Sequence, residues 1–389
     1  MPDTLGPSPD CILHIGMSKT GTTSLQDYMQ RHRASLQQQG VYCPDGSLGG
    51  TAMVYLSAWT FAHSTKKYPD RLAFLDKAGG CEAIEQRVHE QFDQARQAGA
   101  RVVLLSCESL DNLLCTQGWR ALQSMLPAQN VTIAVSLRGQ ASRFLSGLSQ
   151  TCRNGSFQGD VSAMMPANLL KSTWNYDIFL QTLGSVFGRE HMSVFSWNTT
   201  NLLQHIFGLA KASTQEATSA PRLNQSFSPC LRLVAGEINR RLHTSAPLIT
   251  GQPDHDLEPA WQSNSRWKSP GHIKSRFAVL SMVDDQATTP QRYHAAELDT
   301  ALHLEQTLQT SNERVVQTFD IEPFGITDID QFMAQAIPHN VLRTQLEQLA
   351  DRACQVHRTA ADANEADGAA VIAHVLGELL VDMPNDPCP

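Results

Sequence analysis

The stretch HIGMSKTGTTSL, His14 to Leu25, decides the fold. It follows a short apolar run, Cys11-Ile-Leu-His-Ile15, and precedes apolar residues at helical spacing (Leu25, Tyr28, Met29, Leu36) that end at Gly40. Strand, glycine loop and helix are expected in that order. Gly16 and Gly21 keep the G-x-x-x-x-G spacing of a nucleoside-triphosphate loop, but Thr22 stands in the lysine position and Lys19 lies inside the loop. A glycine turn at a helix start aims backbone N–H groups at an anion and adds about half a positive charge. Thr20, Thr22, Thr23 and Ser24 add hydroxyl donors. In a triphosphate loop the lysine spans the β and γ phosphates, and the hydroxyl after it helps hold magnesium. A lysine within the loop instead serves a reactive terminal group lying over the loop. No strand ending in aspartate stands out to hold a metal, so a transfer without metal is expected.

Further along, Arg101–Ser106 and Val131–Leu137 are continuous apolar runs of the kind that fill a parallel sheet, and Met192–Trp197 is another. Helical segments stand between them at 81–98, 141–152 and 178–187. This alternation predicts an α/β fold, a doubly wound parallel sheet with a P-loop-like strand-loop-helix, whose ligands gather beyond the carboxyl ends of the strands. Residues 1–10 read as a disordered lead-in and 11–325 as the α/β domain. The polar segment 245–300 reads as an insertion or lid, and 326–389 as a helical C-terminal extension.

The chain has 389 residues, 41% hydrophobic and 17% charged, which is ordinary for a globular enzyme. A formal charge of −8 excludes a general nucleic-acid binder, which draws most of its affinity from neutralised phosphates. Any anion site must be local. Nine cysteines stand singly, without a C-x-x-C pair, and their odd number leaves at least one outside any disulfide scheme. A cytoplasmic protein is expected, with no signal peptide in MPDTLGPSPD and no membrane span, since the apolar stretch Val371–Val381 falls short of the ~20 residues needed. Asp254-His255-Asp256 has no partner at ligand spacing and reads as a solvated loop.

The stretch HIGMSKTGTTSLQ resembles the 5′-phosphosulfate loop of sulfotransferases, roughly P-K-[TS]-G-T-T-x-L, with Ser18 where many members have proline. The resemblance implies 3′-phosphoadenosine 5′-phosphosulfate (PAPS) as co-substrate, bound by Ser18, Lys19, Thr20, Gly21, Thr22, Thr23 and Ser24. It also implies that the 3′-phosphate is held by an arginine at a strand end and a serine eight residues on. VTIAVSLRGQASRFLSG supplies these as Arg138 and Ser146. PRLNQSFSP is similar to an R-x-N-x-S segment of bacterial members and adds Arg222 and Asn224. Trp174-Asn-Tyr176 and SNERVV at 311–316 fit the same pattern.

Sulfuryl transfer requires in-line positioning and stabilisation of charge on the leaving oxygen. Lys19 fits that role, helped by the amides of residues 20–24. An acceptor hydroxyl needs a general base about 3 Å away, commonly histidine or a carboxylate. Glu108, after the strand RVVLLS, is the candidate, and His14 reads as packed within its strand. The expected acceptor is a small molecule or a glycan hydroxyl. Two rivals stand beside this reading: an ATP-dependent enzyme of the P-loop class, and a binding protein without catalysis on the same fold.

Overall fold

The computed structural model describes residues 7–65, 69–153, 155–197, 201–213, 227–244, 293–359 and 363–383. Two compact units make up the chain. The first comprises Met1–Arg143, Ala167–Asn224 and Glu305–Gly325; the second comprises Phe144–Pro166, Gln225–Leu304 and Ile326–Pro389.

Five parallel strands form the sheet of the first unit: β1 (Asp10–His14), β2 (Val41–Tyr42), β3 (Val102–Ser106), β4 (Val131–Leu137) and β5 (Met192–Ser196), in the spatial order β2-β3-β1-β4-β5. Every residue of β3 is buried, as are the last four of β1 and the last five of β4. Such double-sided burial explains why these strands read as unbroken apolar runs. The chain leaves β1 toward β3 on one side and returns to β4 on the other, so direction reverses around β1. At such a switch point the connections diverge and leave a crevice at the carboxyl ends of the strands. Register brings the three central strands to a common edge, with His14 opposite both Ser106 and Ala134.

The expected strand-loop-helix is present, β1 leading through the glycine loop into α1 (Thr22–Arg31). The sequence reading carried that helix to Gln39. Instead it is interrupted at His32, whose backbone leaves the helical region (φ −106°, ψ 16°), and α2 (Arg33–Gln38) follows. The His32 ring stacks on Tyr28 at 4.2 Å. The unit also contains α3 (Val54–Ala62), α4 (Pro69–Ala78), α5 (Cys81–Gln97), α6 (Thr116–Met125), the start of α7 (Gln140–Arg153), α8 (Tyr176–Phe187) and α9 (Leu202–Leu209). α11 (Ala295–Thr307) and α12 (Gln309–Phe319) contribute through residues 305–319. Leu13, Leu25, Val103, Leu105, Ile133 and Trp119 are among the fully buried residues of its core.

The second unit has its own core. α10 (Pro229–Thr244), α14 (His339–Thr359) and α15 (Ala363–Asp382) pack through Leu231, Val234, Leu346, Ile372 and Val375, and α13 (Ile329–Met333) lies in sequence between α12 and α14. Arg232 and Glu297 form an ion pair within it, 2.6 Å apart and 1% and 2% exposed. Most of the polar segment expected to be an insertion or lid, residues 245–292, lies outside the described residues, while 295–300 are helical. No helix among the described residues is long and apolar enough to cross a membrane.

Candidate functional site

The loop begins where β1 ends and is shaped by backbone conformation. Gly16 (φ +107°) and Gly21 (φ +89°) occupy a region that L side chains rarely adopt, which explains glycine at both ends of the motif. Lys19 takes φ +71° although it carries a side chain. No side chain caps α1 and its first turn has no acidic residue. The N–H groups at a helix start lack intrahelical acceptors, so this one presents donors and partial positive charge to the crevice.

β4 fastens the loop from one side. The Ser136 N–H donates to Gly16 O at 2.7 Å, and the Met17 N–H donates to Ser136 O at 2.9 Å. The Thr20 hydroxyl donates to Met17 O at 2.6 Å and accepts from Ser136 Oγ at 2.5 Å, which commits it to the loop's own framework. Thr20 is wholly buried. Thr22 is buried too, its hydroxyl beside the Glu108 carboxyl, whereas Thr23 is exposed and Ser24 half-buried.

Three further groups converge on the loop. Arg138, just past β4, donates from Nη1 to Lys19 O at 2.6 Å and from Nε to Ser142 Oγ at 2.8 Å, and its guanidinium lies 4.3 Å from the Trp197 ring centroid. Glu108 opens the short 3₁₀ turn after β3. Burial chiefly, and then the charge of Asp111, push its carboxyl above the ordinary range, against the pull of Thr22, Lys19 and Arg143. Arg143 is 4% exposed and pairs with the fully buried Asp111, Nη2 to Oδ2, at 2.9 Å. Asp111 Oδ2 also accepts the Ser18 N–H at 2.7 Å, and Arg143 Nη2 donates to Ser18 Oγ at 3.2 Å.

Of the residues expected from sequence, Ser18, Lys19, Thr20, Gly21, Thr22, Thr23 and Ser24 form the loop and its helix start, and Glu108 and Arg138 lie beside it. Ser146 is half-buried on α7 and belongs to the second unit, whereas Arg138 belongs to the first. Arg222 and Asn224 lie outside the described residues. His14 is fully buried, its Nδ1 3.0 Å from Ser106 Oγ. The segments WNY and SNER, far apart in sequence, meet: Ser311 Oγ donates to Asn175 Oδ1 at 2.6 Å and Arg314 Nε to Asp177 Oδ2 at 2.6 Å. Tyr176 in turn donates from its hydroxyl to Arg138 O at 2.8 Å, and Asn312 exchanges hydrogen bonds with Gln140. These segments brace the backbone that carries Arg138.

Sequence reasoning passed over Asp111. The available signal was E-S-L-D, two carboxylates three residues apart directly after a buried strand. Its meaning depends on Arg143, 32 residues away, which only folding brings near.

The groups facing the crevice are mainly donors and cations: the first-turn amides of α1, Lys19 and Arg138. Backbone N–H groups and partial positive charge at a helix start, with a lysine and an arginine beside them, fit a phosphate or sulfate ester. No family model matches the chain, and no curated protein matches it. Among solved structures it is similar to one described as a sulfotransferase from Alicyclobacillus acidocaldarius, at 16% identity over 62% of this chain and 96% of that one, with a TM-score of 0.36. That likeness is too distant to bear on activity, and the functional reading rests on the residues of the site.

Proposed function

We propose that the chain is a sulfotransferase that moves the sulfuryl group of PAPS to an acceptor hydroxyl, with a small molecule or glycan as acceptor. The observation that carries this reading is the convergence of Lys19, Glu108 and Arg138 on the carboxyl ends of three adjacent strands, β1, β3 and β4, with Arg138 bonded to the carbonyl of Lys19 itself. When bound, PAPS supplies an activated sulfuryl group on a good leaving phosphate. The first-turn amides of α1 would hold its 5′ end and Arg138 its 3′-phosphate. Lys19 lies inside the loop, so its ammonium stands where negative charge develops on the leaving oxygen. It therefore stabilises the transition state more than the ground state. Glu108 takes the proton of the acceptor hydroxyl. Burial holds its pKa above the ordinary carboxylate range, which makes it a stronger base than an exposed carboxylate.

The ATP-dependent rival would want a carboxylate beside the loop, and Asp111 is one. Its charge is already matched by Arg143 and one oxygen holds the Ser18 amide, so it is poorly placed for a metal. Thermal shift separates the readings, because a ligand at 100 times its dissociation constant stabilises by about 2.7 kcal/mol. Adenosine 3′,5′-bisphosphate should raise the melting temperature and ATP with magnesium should not, and label should pass from sulfur-labelled PAPS to an acceptor in a hydroxyl panel. The opposite ligand preference would end this reading.

A further inference from the structure

The backbone around Lys19 is clamped at three points. Asp111 Oδ2 accepts the Ser18 N–H at 2.7 Å, Arg143 Nη2 donates to Ser18 Oγ at 3.2 Å, and Arg138 Nη1 donates to Lys19 O at 2.6 Å. Between these points Lys19 sits at φ +71°, a conformation that a residue with a side chain keeps only where its surroundings over-determine it. Asp111 supplies the clamp with no exposed surface, and its second oxygen is occupied by Asn112 Nδ2 at 2.6 Å. A carboxylate at the mouth of an anion-binding loop opposes the ligand it faces. Its presence is explained if it acts on the loop and Arg143 cancels its charge.

We infer that Asp111 is the positioning residue for Lys19: its buried carboxylate ties the Ser18 amide to Arg143 and so holds the lysine in the left-handed conformation that aims it along the loop. This rests on the sulfuryl-transfer reading. It separates the loop's amides into two kinds, since the Ser18 amide is engaged by the protein and those of Thr22 and Thr23 are left for the nucleotide. Glu108 shares the cluster and is faced by Asp111 on its own turn, Thr22 on α1, Lys19 on the loop and Arg143 on α7. Loss of the Asp111 charge therefore also lowers the pKa of the base.

The test is Asp111→Asn in the full chain. The substitution neutralises the carboxylate and exposes Arg143's charge to the crevice. Adenosine 3′,5′-bisphosphate should then bind as tightly as before, or up to about tenfold tighter, while kcat falls about tenfold or more as the lysine loses its aim. The acid limb of the kcat profile should move to lower pH. A merely structural role predicts parallel loss of affinity and turnover with the limb unmoved, and that result overturns the inference, as does an unchanged kcat. Should the variant fail to fold, residue-resolved amide exchange in the wild-type chain decides: Ser18 should be protected without ligand, and Thr22 and Thr23 only after the bisphosphate is added. An unprotected Ser18 amide overturns the clamp. If wild-type protein neither binds the bisphosphate nor transfers sulfuryl, the functional reading itself fails, which is distinct from an Asp111 variant that leaves wild-type-like transfer intact.

Discussion

Replacing His14 with leucine should remove much of the acid sensitivity of the first unit. The imidazole is fully buried at the end of β1, and burial pushes its pKa from the ordinary 6.5 down to about 3. The folded chain therefore keeps His14 neutral where the unfolded chain protonates it. Stability contributed by the neutral form is fully present above pH 6.5 and is lost as pH falls toward 3, because the unfolded state binds more protons throughout that window. Each pH unit below 6.5 removes 1.36 kcal/mol, so between pH 7 and pH 4.5 the wild-type chain should lose about 3 kcal/mol from this residue alone. Carboxylates add their own acid loss, but equally in both proteins. The leucine variant also deprives Ser106 Oγ of a partner at 3.0 Å, an offset of about 1 kcal/mol that does not vary with pH. The comparison thus rests on slopes. Urea unfolding is followed at pH 7.0, 5.5 and 4.5 by amide exchange of β1 and β4, which reports the first unit without assuming one transition for the whole chain. Equal pH dependence in wild type and variant would refute the reasoning and show that acid reaches the imidazole without unfolding.

Lys19→Ala should lower kcat about 10²-fold or more, as loss of one preorganised charge-stabilising group does, while calorimetry shows a much smaller change in bisphosphate affinity. Arg138→Ala should weaken bisphosphate binding by roughly 10- to 100-fold, the equivalent of one charge-assisted hydrogen bond. It should also slow turnover, because the same guanidinium holds Lys19 O. Glu108→Gln should reduce kcat 10²- to 10⁴-fold and abolish the acid limb of the pH profile. In wild type that limb marks activity falling as pH drops through a carboxyl pKa above the ordinary glutamate value, and a limb that survives in Glu108→Gln would assign the base elsewhere. In the second unit, Glu297→Ala leaves Arg232 buried without its partner and should destabilise that unit by about 3–5 kcal/mol, read as lost amide protection in α10.

Two regions show where reading by pattern ran out. The two-residue β2 and the apolar helix α3 (VYLSAWTFA) carry neither a period of two nor a clean helical stripe; α3 buries six of its nine residues and so lacks the polar face that marks a surface helix. The clustering of WNY with SNER was legible only as two separate motifs, because 134 residues separate Asp177 from Ser311, and contact across such a distance is a property of the packed fold.

What the sequence determined by itself is local: the strand-glycine-helix turn, the lysine displaced into it, the apolar runs of a parallel sheet and the arginine at the end of β4. Each follows from near-neighbour constraints, namely positive φ at glycine, burial on both faces of a strand, and periodicity. Tertiary structure alone decided which charges meet. The direction reversal around β1 brings Glu108, Asp111, Arg138 and Arg143 to the loop, buries Asp111 against Arg143, and leaves His14 neutral. The ionisation and partner of a side chain depend on the dielectric and the charges around it in space, and no spacing along the chain encodes those.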